Sequence, residues 1–273
     1  YYRQQYRRLR ELADYVIAHD FPELAGRKDP YSGLLREVVS RTARLMAQWQ
    51  LVGFAHGVMN TDNTSLLGLT LDYGPFGFME AYEPGFVCSH SDYHGRYAFD
   101  RQPSIGLWNL TCLAQAMLPL INADDGEAAA AEAKAILGTY DAAFRSAYLA
   151  GLRAKLGLRE ALPDDGTLAT RLLDLMQASG VDYTNLFRDL AQVDAVSELP
   201  SRDLRDRFAD REAFDAWLVD YRCRLRAEGV GRDDRRAAMN AVNPRFVLRN
   251  YLAEQAIRAA EAIRGAGWVF LLL

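Results

Sequence analysis

The sequence predicts a mainly α-helical protein with a small β element that holds its chemistry. Three observations carry this. Leu34, Leu35, Val38, Val39, Leu45, Met46 and Trp49 recur at the spacing of one buried helical face. After Pro103 the pattern is helical almost to the end. Between these stretches Leu67, Leu69 and Leu71 alternate with Gly68 and Thr70, which is the period of a strand. The composition suits such a core: 273 residues, 50% hydrophobic and 25% charged, enough for one large domain or two small ones. A net charge of -4 gives no general reason to bind nucleic acid or an anionic membrane. Cys88, Cys112 and Cys223 are too few and scattered for a disulfide framework and form no CxxC zinc pair, so a reducing cytoplasm is the expected compartment. No signal peptide is seen.

The elements follow in order. Leu9, Leu12, Val16 and Ile17 predict one buried face of a first helix, interrupted at Pro22 and "GRKDP". A longer amphipathic helix runs from about Pro30 to Leu51. A short strand pair or hairpin is expected near Phe54–Asp72. From Gly74 to Pro103 the chain is rich in Gly, Pro, Asp and aromatics, which is loop chemistry; a loop of about thirty residues is usually functional. Ser104 is placed as the N-cap of "IGLWNLTCLAQAML", with Pro119 as the stop. "EAAAAEAKAILGTYDAAFRSAYLAGLRAKLG" reads as one long Ala-rich helix. Further helices are expected around Leu168–Ser179, Asp182–Ala191, Arg211–Glu228 and Pro244–Ile263, joined by "LPDDG", "SELPSRD" and "GVGRDD". Both ends read as cut: Tyr1 is not Met, and the apolar run Trp268–Leu273 is far too short to span a bilayer.

The chemistry concentrates in "HGVMNTDNTSLLGLTLDYGPFG", His56 to Gly77. Taken alone, Asp72-Tyr73-Gly74 is a turn and Asn60-Thr61-Asp62-Asn63 is good loop chemistry. Their order changes the reading. In protein kinases a catalytic loop H-x-D-x-x-x-x-N precedes a strand pair and then D-F-G. There the Asn and the D-F-G Asp hold the metal ions that bridge the nucleotide phosphates. His56 stands seven residues before Asn63, the same separation, and Asp72-Tyr73-Gly74 takes the place of D-F-G. The kinase catalytic Asp would fall on Val58, which accepts no proton. A carboxylate sits nearby at Asp62 and could serve as base if the substrate lies differently relative to the metals.

This stretch, with "GRYAFDRQPSIGLWNL", "SGVDYTNLFRDL" and "NPRFVLRNYLAEQAI", resembles the SelO (YdiU) family of protein adenylyltransferases from about Tyr1 to Ile263. The resemblance implies a protein-kinase-like fold, of which this chain is the C-terminal lobe plus a helical extension. Residues 1–103 would be the lobe core with catalytic loop, metal-binding DYG and activation-type loop, and residues 104–273 the helical remainder. It implies transfer of AMP from ATP, bound in reversed orientation, to Ser, Thr or Tyr hydroxyls of proteins. Transfer of UMP from UTP, favoured by manganese, is attributed to bacterial members. Asp62 matches the proton acceptor, Asn63 and Asp72 the ligands of Mg²⁺ or Mn²⁺, and Asp72 also a group that approaches the nucleotide phosphates. Cys88 matches a cysteine that pairs in family members with one near the C-terminus; this chain has no cysteine beyond Cys223. A Gly-rich nucleotide loop, a V-A-I-K-type lysine and a helix-C glutamate are not found, and in the family these lie in an N-terminal lobe.

Two alternatives stay open: a phosphotransferase using the same pocket, and a pseudokinase module that binds partners without chemistry. Among the other residues, His56 reads as a brace for the loop. His90, Asp92 and His94 read as a solvated segment near the substrate groove rather than a metal site. Cys112 and Cys223 read as core thiols, and Trp49, Trp108 and Trp217 as packing between helices. Arg3, Arg7, Arg8 and Arg10 read as a solvated helix face, with nucleotide phosphate as the alternative partner.

Overall fold

The computed structural model describes residues 5–197 and 202–262. Arg3, the centre of the "SELPSRD" joint and the tail from 263 lie outside them. The described chain is mostly helical, with one two-stranded antiparallel sheet. It divides into two compact units that interleave along the sequence.

The first unit comprises Tyr1–Leu51, His56–Pro75 and Ser89–Gly151. Its helices are α1 (Tyr6–Asp20), α2 (Pro30–Val52), α3 (Gln102–Ile121), α4 (Gly126–Leu137) and most of α5 (Tyr140–Lys155). Pro30 opens α2, where a missing N–H costs nothing. Leu34, Leu35, Val38, Val39, Ala43, Met46 and Ala47 then form its buried stripe, as the periodicity predicts. Fully buried side chains such as Leu35 and Val39 contribute about 1.5–3 kcal/mol each. Gly106 lets α3 lie close to α2: a Cβ there would meet Met46 Cγ at 3.1 Å. By length and composition alone Phe99–Ile121 is apolar enough to cross a membrane. It also buries the side chains of Gln102 and Asn109 on hydrogen bonds within this unit and packs on α4.

The second unit comprises Val52–Ala55, Phe76–Cys88 and Leu152–Leu273. Strand β1 (Phe54–Ala55) pairs antiparallel with β2 (Gly77–Phe78), Phe54 opposite Phe78. Helices α6 (Asp165–Ser179), α7 (Tyr183–Leu190), α8 (Arg202–Arg205), α9 (Arg211–Glu228), α10 (Arg232–Val242) and α11 (Asn250–Ala262) follow. Asp182 and Asp210 cap α7 and α9 by accepting from Asn185 N and Ala213 N. Phe208, Phe214, Trp217 and Tyr221 stack in series at 4.1, 5.8 and 5.0 Å, a buried aromatic spine. Arg249 joins Glu80 and Asp182, tying the segment before α11 to the loop after β2.

Several expectations are corrected. The Leu67–Leu71 alternation is not a strand; the pair forms from Phe54–Ala55 and Gly77–Phe78 instead. Gly68 turns the chain at φ +70°, where a Cβ would meet Arg41 Cβ at 2.8 Å, and this segment's polar groups bond side chains rather than a ladder. The Ala-rich helix breaks into α4 and α5 at Gly138, a weak helix former, beside Thr139, whose hydroxyl donates to Ile136 O. Ser104 is not the N-cap of α3: its hydroxyl donates back to Arg101 O, and the helix has already begun at Gln102-Pro103. Pro119 lies inside the last turn rather than stopping it. Leu12 is exposed, and Ala13 and Ile17 carry the buried face of α1. Trp108 is 47% exposed, whereas Trp49 and Trp217 are buried as expected. Cys223 is exposed and Cys112 half-buried, so neither is a core thiol. Helix α10 begins at Arg232, inside "GVGRDD", which reads in the sequence as a joint only.

Candidate active site

Residues 56–74 run through the first unit as two irregular segments joined at Gly68. Their geometry is set by side chains, not by a sheet. His56 is 1% exposed. Its backbone N–H donates to Gln102 Oε1 at 2.8 Å, and its ring lies 5.3 Å from the Trp49 indole. Its Nε2 meets Leu71 O at 2.7 Å; a carbonyl only accepts, so Nε2 carries the proton. Nδ1 faces the Val58 amide at 3.4 Å. One imidazole therefore ties the start of the first segment to the residue directly before Asp72. Trp49 adds a second tie, donating to Thr70 Oγ1 at 2.9 Å.

The first segment is closed from within and from α3. Asn63 Nδ2 donates to Val58 O at 3.1 Å, which leaves its Oδ1 as the atom able to ligate. Asn109 donates to Met59 O at 3.1 Å and Thr64 Oγ1 at 2.9 Å; Thr64 in turn donates to Asn60 O. Tyr97 donates to Asn60 Oδ1 at 2.7 Å. On this frame Asp62, in the short 3-10 turn Thr61–Asn63, is exposed, and Asn63 is half-buried.

Asp72 is the only non-glycine with positive φ among the described residues, at +58°. Asp tolerates this left-handed region better than most residues, and the amide of Gly74 donates to Asp72 O at 2.8 Å. Its side chain is exposed. A backbone held this way at an exposed carboxylate fits a functional constraint, because packing gains nothing from it.

Asn63 Oδ1 and the Asp72 carboxylate are hard oxygen donors and fit Mg²⁺ or Mn²⁺. Among the described residues no three His, Cys, Asp or Glu side chains form a metal cage. An ion held by two protein oxygens would complete its shell with water and phosphate, which is how nucleotide-bound Mg²⁺ is usually carried. His90 and His94 are exposed, and both Asp92 oxygens accept backbone N–H groups, from Arg96 at 2.8 Å and Tyr97 at 2.7 Å; Asp92 shapes a turn. Arg7, Arg8 and Arg10 are exposed on α1, with Arg7 on Glu11 and Arg10 over the Tyr31 ring, as a solvated face. Cys88 is half-buried, with Sγ donating to Ala55 O at 3.4 Å.

Sequence reasoning missed Gln102, Asn109 and Tyr97 as braces of this site. The signal was available for two of them. Gln102 and Asn109 stand seven residues apart, so they share the buried face of an otherwise apolar helix, and a buried polar side chain there needs a partner.

A family model described as "Protein adenylyltransferase SelO" matches residues 1–265. A curated protein nucleotidyltransferase YdiU of Thioalkalivibrio sulfidiphilus is 59% identical over 93% of this chain and 51% of its own length. The YdiU proteins of Myxococcus xanthus and Cronobacter sakazakii are 52% and 51% identical, each over 96% of this chain and 52% of their own length. The chain thus spans about half the length of the curated relatives it matches.

Proposed function

Because the chain belongs to the family of protein adenylyltransferase SelO, we propose that it carries the metal-binding and proton-accepting part of a protein nucleotidyltransferase. The activity is transfer of AMP from ATP, or UMP from UTP, to Ser, Thr or Tyr hydroxyls of proteins. The fold reading is the C-terminal lobe of a kinase-like protein, with residues 1–103 as lobe core and 104–273 as helical remainder, acting in the cytoplasm. The nucleotide-gripping residues belong to the remaining length of the full-length protein.

The roles follow from the side chains. Asn63 Oδ1 and Asp72 would hold Mg²⁺ or Mn²⁺, which would offset charge on the phosphates. Through the metal, Asp72 would also approach the nucleotide phosphates. Asp62 accepts the proton of the attacking hydroxyl as its oxygen bonds the α-phosphorus and the bond to pyrophosphate breaks. His56 positions; it does not take the proton, because its Nε2–H is spent on Leu71 O. Positioning and electrostatics supply most of the rate, as in other phosphoryl chemistry.

The observation that carries this reading is the His56–Leu71 bond beside Val58. The two segments bearing Asn63 and Asp72 are held to one another, while the position of a kinase base bears an isopropyl group. Chemistry built on the metal ligands with a base elsewhere accounts for both. The test is mass spectrometry of an acceptor protein after incubation with the full-length protein, ATP and Mg²⁺. An adduct with the mass of AMP supports the proposal; a phosphate adduct contradicts it.

A further inference from the structure

A groove of about 710 Å³ opens beside the first segment, bounded by Gly57, Val58 and Asn60 on one side and by residues 91–97 and 101 on the other. Its charge is unbalanced. Arg96 and Arg101 are exposed, and neither has a carboxylate within 4 Å among the described residues, whereas Arg36, Arg171, Arg205, Arg207 and Arg224 each do. The one acid lining the groove, Asp92, spends both oxygens on the backbone amides of Arg96 and Tyr97.

Both guanidinium groups are held rather than free. Arg96 lies 4.9 Å over the Trp108 ring and 5.6 Å from that of Tyr97, a stack that leaves its N–H edge for a planar acceptor. Arg101 donates Nη1 to His94 O and Gly95 O, and its Nε and Nη2 have no partner among the described residues. Two such forks in one groove match carboxylates, which take arginine bidentately. The chain as a whole is acidic, so this cationic patch is local.

We propose that this groove is the docking site for the acceptor protein, and that it selects hydroxyls flanked by Asp or Glu. Arg96 and Arg101 are specificity-determining residues that receive those side chains. The inference rests on the proposed transfer to protein hydroxyls, since the groove begins at the segment that carries Asp62. Tyr97 links the two features: its backbone N–H donates to Asp92 and its hydroxyl to Asn60, so the docking wall is hydrogen-bonded to the catalytic segment.

The experiment uses the full-length protein and two acceptor peptides that differ only in Glu or Gln beside the hydroxyl. Peptide binding is read by fluorescence anisotropy without nucleotide, and transfer by kcat and KM. The Glu peptide is expected to bind more tightly, with affinity falling as salt rises, because the contact is ionic. Arg96→Gln and Arg101→Gln should each raise its KM about 10-fold, the low end for an exposed charge-assisted bond. The KM for nucleotide and the kinetics of the Gln peptide should stay unchanged. Equal binding of the two peptides by the unaltered protein overturns the proposal without recourse to any variant. So does a loss in the variants confined to the KM for nucleotide, which would assign the arginines to phosphate. Tight, salt-sensitive binding of the Glu peptide with no transfer would reject the proposed reaction and leave the docking groove standing.

Discussion

Replacing Asp72 by Asn separates what this residue does for the fold from what it does for chemistry. The side chain is exposed and is not part of the core, so no packing is lost. The backbone sits at φ +58°, a region that Asn adopts as readily as Asp. Asn therefore keeps the shape, the backbone conformation and one oxygen donor, and removes only the charge. The stability change is expected to stay within about 0.5 kcal/mol, the usual range for surface substitutions. Asp72→Ala lacks the local tolerance for this conformation and should cost about 1 kcal/mol. Activity is another matter. Of the two proposed ligand oxygens, Asp72 supplies the only charged one, and its loss should lower metal-dependent turnover by at least about 10²-fold, a few kcal/mol of transition-state stabilisation. The assay pairs urea unfolding with turnover of the full-length protein across a Mg²⁺ titration. Wild-type turnover of Asp72→Asn at saturating Mg²⁺ would refute the ligand assignment. A destabilisation above about 3 kcal/mol would show instead that the residue is held for structure.

Asn63→Ala should weaken metal use more mildly than Asp72→Asn, since an amide oxygen carries no net charge; identical activity and metal dependence to wild type would break the alignment of the first segment. Gln102→Leu leaves the buried His56 amide without an acceptor and should cost about 1–3 kcal/mol in chemical denaturation, together with a fall in kcat, whereas a silent substitution would remove Gln102 from the site's framework. Lys155 is buried against the rings of Phe187 and Tyr183, and loss of solvent pushes its pKa down to about 7. Its folded pKa is thus below its unfolded one; between pH 7 and 10 the unfolded chain binds the extra proton, so stability should rise with pH by up to about 1.4 kcal/mol per unit, and Lys155→Met should flatten that rise in pH-dependent denaturation curves. The 273-residue chain alone should fold as a helical protein yet bind ATP and Mg²⁺ weakly or not at all in calorimetry; submicromolar affinity would put the phosphate site inside it.

Local signals in the sequence were reliable where a single element decides the outcome. The α2 stripe, the C-terminal end of α6 and the extents of α7 and α9 follow from periodicity and from Asp or Gly at the boundaries, whereas α6 starts at Asp165, three residues before the expected Leu168. The spacing from His56 to Asn63 and on to Asp72 made the candidate residues legible before any coordinates. What the sequence could not show are pairings across distance. Leu67, Leu69 and Leu71 alternate like a strand, but Gly68 against Arg41 and the ties to Trp49 and His56 leave them no ladder. Trp108 resembles a packing residue in sequence, yet its ring carries Arg96 at the surface. Gln102 and Asn109 acquire meaning only when α3 lies beside the 56–64 segment.

The central claim is that Asp62 accepts the proton in a transfer of the α-phosphoryl group, with position 58 playing no part. It is tested most directly by assaying Val58→Asp and Asp62→Ala in the full-length protein with ATP labelled separately at the α and γ phosphates. Removal of a general base typically costs about 10²–10⁴-fold, so Asp62→Ala should lose nearly all incorporation of α-label, far outside assay error. Val58→Asp should incorporate no γ-label and leave α-transfer unchanged or reduced, because the γ-phosphate of a reversed nucleotide points away from the metal ligands. New γ-label on the acceptor from Val58→Asp, with Asp62→Ala nearly as active as wild type, would contradict the account and make the protein a phosphotransferase with a damaged base.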